Sequence, residues 1–181
     1  MLIDVTSFTS GPRQIDNAAV PQKTANHIAV AERINGYIDF YQTDFLKHAV
    51  GPQLCSDIDA YSRVEHHTQE ETPAEENSNG EQVVYEEPDE RMESLISLLR
   101  EPFAEYVFFY MLRDMNHQPT ITGLVQLKCA NSYVSPLKKG VQAWNRMVDG
   151  MRLFAAEVQR LGVEGVTIDR DMLTHINSFN L

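Results

Sequence analysis

The run FAEYVFFYMLRDM, residues 103 to 115, is the tightest constraint on how this chain can fold. Read as a helix it is apolar around nearly its whole circumference, and a surface helix shows an apolar stripe on one side only. It must therefore be buried on several sides at once. Either it is the central helix of a bundle, or a second copy of the chain covers part of it.

A chain of 181 residues with 43% apolar content has enough material for one core of ordinary size. The helices to surround the central one can be read on either side of it. Val30, Ile34, Tyr37, Tyr41 and Phe45 recur at three- and four-residue spacing from about Lys23 onward. Gly36 interrupts this pattern and Thr43 offers a new cap, so a break near residue 42 is expected. Gly51-Pro52 ends that helix and opens another over 52 to 64 carrying Leu54, Ile58 and Tyr61, since proline is tolerated in a first turn. Arg91 to Arg100 has Met92, Leu95, Ile96 and Leu99 on one face, and Pro102 predicts a kink or restart before the central run.

The clearest periodicity comes last. Leu137, Val141, Trp144, Val148, Met151, Ala155 and Val158 are spaced 4-3-4-3-4-3, the seam of a helix lying nearly parallel to its neighbours. Ser135-Pro136 explains its start, with Ser135 as side-chain cap and Pro136 pre-setting helical φ, and Gly162 ends it. Gly140 and Gly150 each cost roughly 1 kcal/mol against alanine inside a helix. They mark either close backbone approach to two neighbours or tolerated surface positions.

Between the helices, residues 116 to 134 hold Pro119 and Gly123, with Val125, Leu127 and Cys129 alternating against Gln126 and Lys128, a strand or hairpin pattern. Residues 1 to 22, broken by Pro12 and Pro21, read as an extended N-terminal arm ordered against a partner. Residues 163 to 181, with Ile168, Met172, Leu173, Ile176 and Phe179, read as a tail holding a weak strand and a short helix, or docking on another subunit. The expected fold is all-α: a bundle of four to five helices over 23 to 162, a small β-hairpin, and extended N- and C-terminal arms.

Charge is unevenly placed. The net charge is −11, and residues 65 to 90 alone carry ten carboxylates and no Lys or Arg, so the rest of the chain is close to neutral. This segment contains Pro73, the NSNG turn at 77 to 80 and Pro88, and reads as an exposed acidic insertion with a short hairpin at Asn79-Gly80. It is a solvated loop or a contact for a basic partner. Lys138 and Lys139 are only a local pair, and without a basic stripe the chain is not built to grip nucleic acid through its phosphates. Cys55 and Cys129 lie far apart and are expected as free thiols of a reducing compartment. The N-terminal residues lack the basic flank and apolar run of a signal peptide, and no long apolar span occurs, which predicts an unexported chain without a membrane anchor.

Candidate chemistry is sparse. In HHTQEE, His67 and Glu71 would share a helix face at i, i+4, but a catalytic metal needs three fixed ligands and ordered supporting partners. Asp57 with Asp59, and Asp169 with Asp171, are i, i+2 pairs that diverge on a helix, so surface charge is the expected role. No nucleophile elbow, GxGxxG or P-loop occurs, and neither cysteine has a histidine close in sequence. No catalytic residue, metal ligand or cofactor-binding residue is assigned, and an enzyme is not expected.

Two stretches, YIDFYQTDFLKHAVGPQL at 37 to 54 and 103 to 149, resemble the head–tail connector (adaptor, or head-completion) proteins of tailed bacteriophages. The residues that carry the likeness are the aromatic helix ending in Arg113-Asp114, the Thr122-Gly123 turn, Asn131-Ser132, the Ser135-Pro136 cap, and Ala143-Trp144-Asn145 followed by Met147-Val148-Asp149. The arm, the acidic insertion and the tail lie outside it. The resemblance implies a structural virion protein, made in the host cytoplasm and placed at the head–tail interface. It implies a closed homo-oligomeric ring, commonly twelvefold, that joins the portal protein to downstream neck or tail proteins and extends the DNA channel. DNA would pass without sequence-specific binding, and a negative surface on the acidic insertion would then repel it. A tail-completion or stopper ring further down the neck is the nearest alternative, and an acidic intracellular adaptor for a basic protein is the alternative of another class.

Overall fold

The computed structural model describes residues 2–16, 18, 25–61, 89–115, 117–120, 123–126 and 136–177. Among them are four α-helices: α1 (Ala25–Val50), α2 (Pro52–Tyr61), α3 (Glu90–Met115) and α4 (Leu137–Leu161). Two short strands, β1 (His117–Thr120) and β2 (Gly123–Gln126), pair antiparallel with His117 opposite Gln126 and Thr120 opposite Gly123. The fold is all-α in class.

The central position expected for 103 to 115 is what the chain builds. Phe103, Ala104, Tyr106, Val107, Phe108, Phe109 and Met111 are all buried, and they are buried by this chain alone. α3 packs most extensively on α4, with α1 closing the other side. No second copy is needed to cover this helix.

Asp89 starts α3: its carboxylate accepts from the Arg91 backbone N–H at 2.9 Å, and Glu90 and Glu93 place negative charge in the first turn. The Tyr61 hydroxyl ties this start to the end of α2. It accepts from the Asp89 N–H at 3.0 Å and donates to Glu93 at 3.2 Å.

Two expected breaks are absent. α1 runs unbroken through Gly36 and Thr43, because Ile34, Ile38, Phe45 and Leu46 form one fully buried stripe, and that burial outweighs the local cost of one glycine. α3 likewise continues through Pro102 without a restart. The proline ring is taken up by the neighbouring helix, since a Cβ built on Gly150 of α4 would stand 2.7 Å from Pro102 Cγ. Gly150 is thus a close-approach position within the bundle. Gly140 is not, as its Cβ would meet Phe109 at an ordinary 3.8 Å.

The seam of α4 is shifted by about one residue from the expected one. Ala143, Met147, Val148, Met151, Phe154 and Val158 are buried, whereas Leu137 is exposed and Val141, Trp144 and Ala155 are half-buried. Ser135 lies outside the described residues. Pro136 precedes the helix at φ −70°, and its carbonyl accepts from the Gly140 N–H at 2.8 Å. At the far end Gly162 adopts φ 63°, and its N–H reaches back to the last carbonyls, the left-handed stop that glycine provides without strain.

The N-terminal segment corrects the expectation of an extended arm. It forms two short 3-10 turns, Val5–Phe8 and Gly11–Arg13, and buries Leu2, Ile3, Val5 and Phe8 in the common core. The Leu2 N–H donates to the buried Gln42 side chain at 2.9 Å, and Gln42 in turn donates to Asp59 at 3.1 Å. Phe8 supplies the apolar area that makes folding back favourable. The tail also folds onto its own chain, with a 3-10 turn at Arg170–Leu173 that buries Met172.

Candidate functional site

Three arrangements stand out among the described residues. The first is a buried charge network between α3 and α4. Glu105 is 4% exposed, the buried carboxylate of the apolar run, whose other one, Asp114, is exposed. Arg146 grips it through two parallel bonds, Nε to Oε1 at 2.8 Å and Nη2 to Oε2 at 2.9 Å. Arg13 adds a third at 2.9 Å while holding Glu101 at 2.7 Å. Burial draws the Arg13 guanidinium down, but Glu101 and Glu105 outweigh it and leave the group held firmly charged. A carboxylate in low-dielectric surroundings is stable only with such partners. An isolated Glu in FAEYVFFYML was the sequence signal for this network, although nothing in the sequence pointed to Arg13.

The second is a ladder of aromatic rings along the α1–α3–α4 junction. Tyr41 stacks on Tyr110 at 4.4 Å between centroids and meets Phe40 edge-on at 4.9 Å. Tyr110 contacts Tyr106 at 4.8 Å and Phe109 at 5.3 Å, and Phe109 meets Trp144 at 5.0 Å. Arg113 lies 5.7 Å from the centroids of both Phe109 and Tyr110. Burial, followed by the charge of Asp114, pushes the Tyr41 hydroxyl up to about 12, and the same two causes raise Tyr37. Burial raises Tyr106 further, while its hydroxyl donates to Asp44 at 2.8 Å. The ladder begins at Phe40, which is 75% exposed. The Arg113-Asp114 and Ala143-Trp144-Asn145 residues of the resemblance stand at its α3 and α4 ends.

The third is a clasp that holds the tail. Trp144 Nε1–H donates to the Thr174 carbonyl at 3.0 Å. The Asn145 amide donates to the Ile176 carbonyl at 3.1 Å and accepts from the Ile176 N–H at 2.9 Å. Arg152 donates to the Leu173 carbonyl at 2.9 Å, and His175 pairs with Asp149 at 2.8 Å. Upstream, the tail caps α1: the Thr167 N–H donates to the Val50 carbonyl at 3.1 Å and the Asp169 N–H to the His48 carbonyl at 2.9 Å. The His48 ring bonds the Asp169 carboxylate and lies 3.5 Å from Asp44, which raises its affinity for a proton.

The candidates from sequence do not converge. Asp57 is exposed on α2, while Asp59 turns to Gln42; Asp169 goes to His48 and Asp171 is exposed. His67, Glu71 and Cys129 lie outside the described residues, as does the whole of 65 to 88. Cys55 is a buried free thiol whose pKa burial pushes up. Among the described residues no three His, Cys, Asp or Glu side chains are grouped as for a metal ion, and no helix is long and apolar enough to cross a membrane. Comparison with protein-family models, with curated proteins and with solved structures gives no match.

Proposed function

We propose that this chain is a structural subunit of a closed ring, a head–tail connector that joins a phage portal to the tail and extends the DNA channel. One observation carries the reading beyond the resemblance itself. The two stretches that resemble connector proteins, 37 to 54 and 103 to 149, pack on each other through the aromatic ladder, so the likeness falls on one contiguous unit of the bundle. That unit and the continuation of α4 beyond it leave large apolar side chains uncovered. Phe40 is 75% and Leu153 is 70% exposed, on helices that bury their opposite faces in the core.

A ring needs two different patches per subunit that meet head to tail and close by rotation. Phe40 on α1 and Leu153 on α4 belong to different helices, as such an arrangement requires. In this reading the antiparallel pair β1–β2 is a hairpin that adds contacts to a neighbour along its edge. The chain has no catalytic role in it.

The test is the assembly state of the full chain and of the particle that contains it. Native mass spectrometry and image reconstruction are expected to show one closed ring seated against the portal. A ring further down the neck would instead assign a stopper role. Phe40→Arg, which gives up only the edge contact with half-buried Tyr41, is expected to abolish the ring and keep the helical circular dichroism. A monomer both in solution and in the particle refutes the reading.

A further inference from the structure

The clasp on α4 reads main chain more than side chains. Three of its four partners, Trp144, Asn145 and Arg152, bond backbone carbonyls of Leu173, Thr174 and Ile176, and Asn145 pairs with Ile176 at two points as a strand residue would. The end of α1 likewise takes two backbone N–H groups of the tail. Contacts of this kind are indifferent to which copy of the chain supplies the segment. Among the described residues of the tail Met172 alone is buried, with Val163, Val166, Ile168, Leu173 and Ile176 partly covered, so the tail is a less stable unit that can open while the bundle stays folded.

The connection to α4 is built to be re-aimed. Gly162 and Gly165 both stand at positive φ, 63° and 81°, with nothing within 4 Å of a Cβ at either, so beyond the helix-ending bonds of the Gly162 and Val163 N–H groups no side chain crowds the turn. Four residues, 162 to 165, span roughly 13 Å when extended.

We propose that in the assembled ring residues 166–176 leave their own α4 and occupy the same clasp on the adjacent copy, each subunit donating its tail to the next. This rests on the ring reading. The occupant is a second copy because no other ligand reproduces every bond that the resident tail makes, so exchange conserves all donor–acceptor pairs. A neighbour held in the ring presents its clasp at an effective concentration on the order of millimolar, as a short tether does for the chain's own clasp, so exchange forfeits no bond and meets no dilution penalty. Passing the tail in one direction around a closed ring leaves no clasp empty, whereas an open chain leaves one at each end.

Two single-cysteine chains test it, both carrying Cys129→Ser and relying on the burial of Cys55. One has Asp149→Cys and the other His175→Cys, both at exposed positions. Co-assembled rings are treated with a short bis-maleimide, which can join these two sites only between chains. The expected result is a crosslinked dimer on denaturing gels, with each single-cysteine ring giving less than a tenth of that yield. A chain bearing both cysteines should give a ladder of covalent oligomers in rings and an intrachain link in dilute monomer. Rings in which the double-cysteine chain links only within itself overturn the exchange and leave the ring reading intact. Absence of any ring overturns both. Arg152→Cys with Thr174→Cys repeats the test at a second point, against local disturbance by the first pair.

Discussion

Gly140 and Gly150 occupy the same helix and differ in what a methyl group would meet, so alanine at each isolates one steric effect. Both substitutions gain helix propensity, up to about 1 kcal/mol. At Gly140 the new Cβ would stand 3.8 Å from Phe109, a normal contact, so Gly140→Ala is expected to be neutral or stabilising by up to about 1 kcal/mol. At Gly150 it would stand 2.7 Å from Pro102 Cγ and 3.3 Å from Cδ. A proline ring inside a packed helix cannot swing aside, so the helices must separate, at an overpacking cost of roughly 1–3 kcal/mol. The propensity gain largely cancels between the two variants, and Gly150→Ala should be about 1–3 kcal/mol less stable than Gly140→Ala. For a domain of this size each kcal/mol moves the Tm by roughly 2–4 °C. Urea unfolding followed by circular dichroism and by Trp144 fluorescence measures the gap. Adding Pro102→Ala should recover most of the loss at Gly150 and none at Gly140, because the coupling belongs to one contact. Equal stability of the two alanine variants would refute the close-packed crossing.

Two further outcomes follow from polar contacts. Glu105→Ala strips the shared carboxylate from Arg13 and Arg146 and should cost about 3 kcal/mol by chemical denaturation, while Glu105→Gln, which keeps one acceptor oxygen for the bonds now made to Oε1, should cost less. For His48 the folded-state pKa is raised by the bond to Asp169, so its contribution is fully present below the unfolded value of about 6.5 and is lost as pH rises through the folded one. Amide exchange of 166–173, corrected for intrinsic rates, should therefore be slower at pH 6 than at pH 8.5, and His48→Gln should remove that difference. The pair is about half exposed, so the effect should shrink in high salt.

How much of this was legible in the sequence depends on whether the deciding partner was local. The central helix was, because being apolar on all sides is a property of thirteen consecutive residues. The break in α1 was misjudged because Gly36 and Thr43 are local signals, overridden by a buried stripe that includes Ile34, Ile38 and Phe45. The phase of α4 slipped for a similar reason: half-buried Trp144 looked like the seam centre, while Phe154 and Met147 face α3. Nothing local reveals that Phe8 enters the core or that Arg13 reaches Glu105 across 92 positions. The role of Asn145 in holding Ile176 was equally hidden, since a helix-surface asparagine has no distinctive pattern.

The junction after α1 carries an evolutionary consequence. Gly51 stands at φ 88°, and a Cβ there would meet the Thr167 side chain at 3.2 Å. Position 51 is thereby closed to other residues twice over, once by its backbone and once by its visitor. Among descendants of this chain, glycine at 51 should persist wherever a tail crosses it. Lineages that shed the tail would free the space and keep only the conformational demand, so asparagine would begin to appear there, and the drift of one position would date the loss of the other.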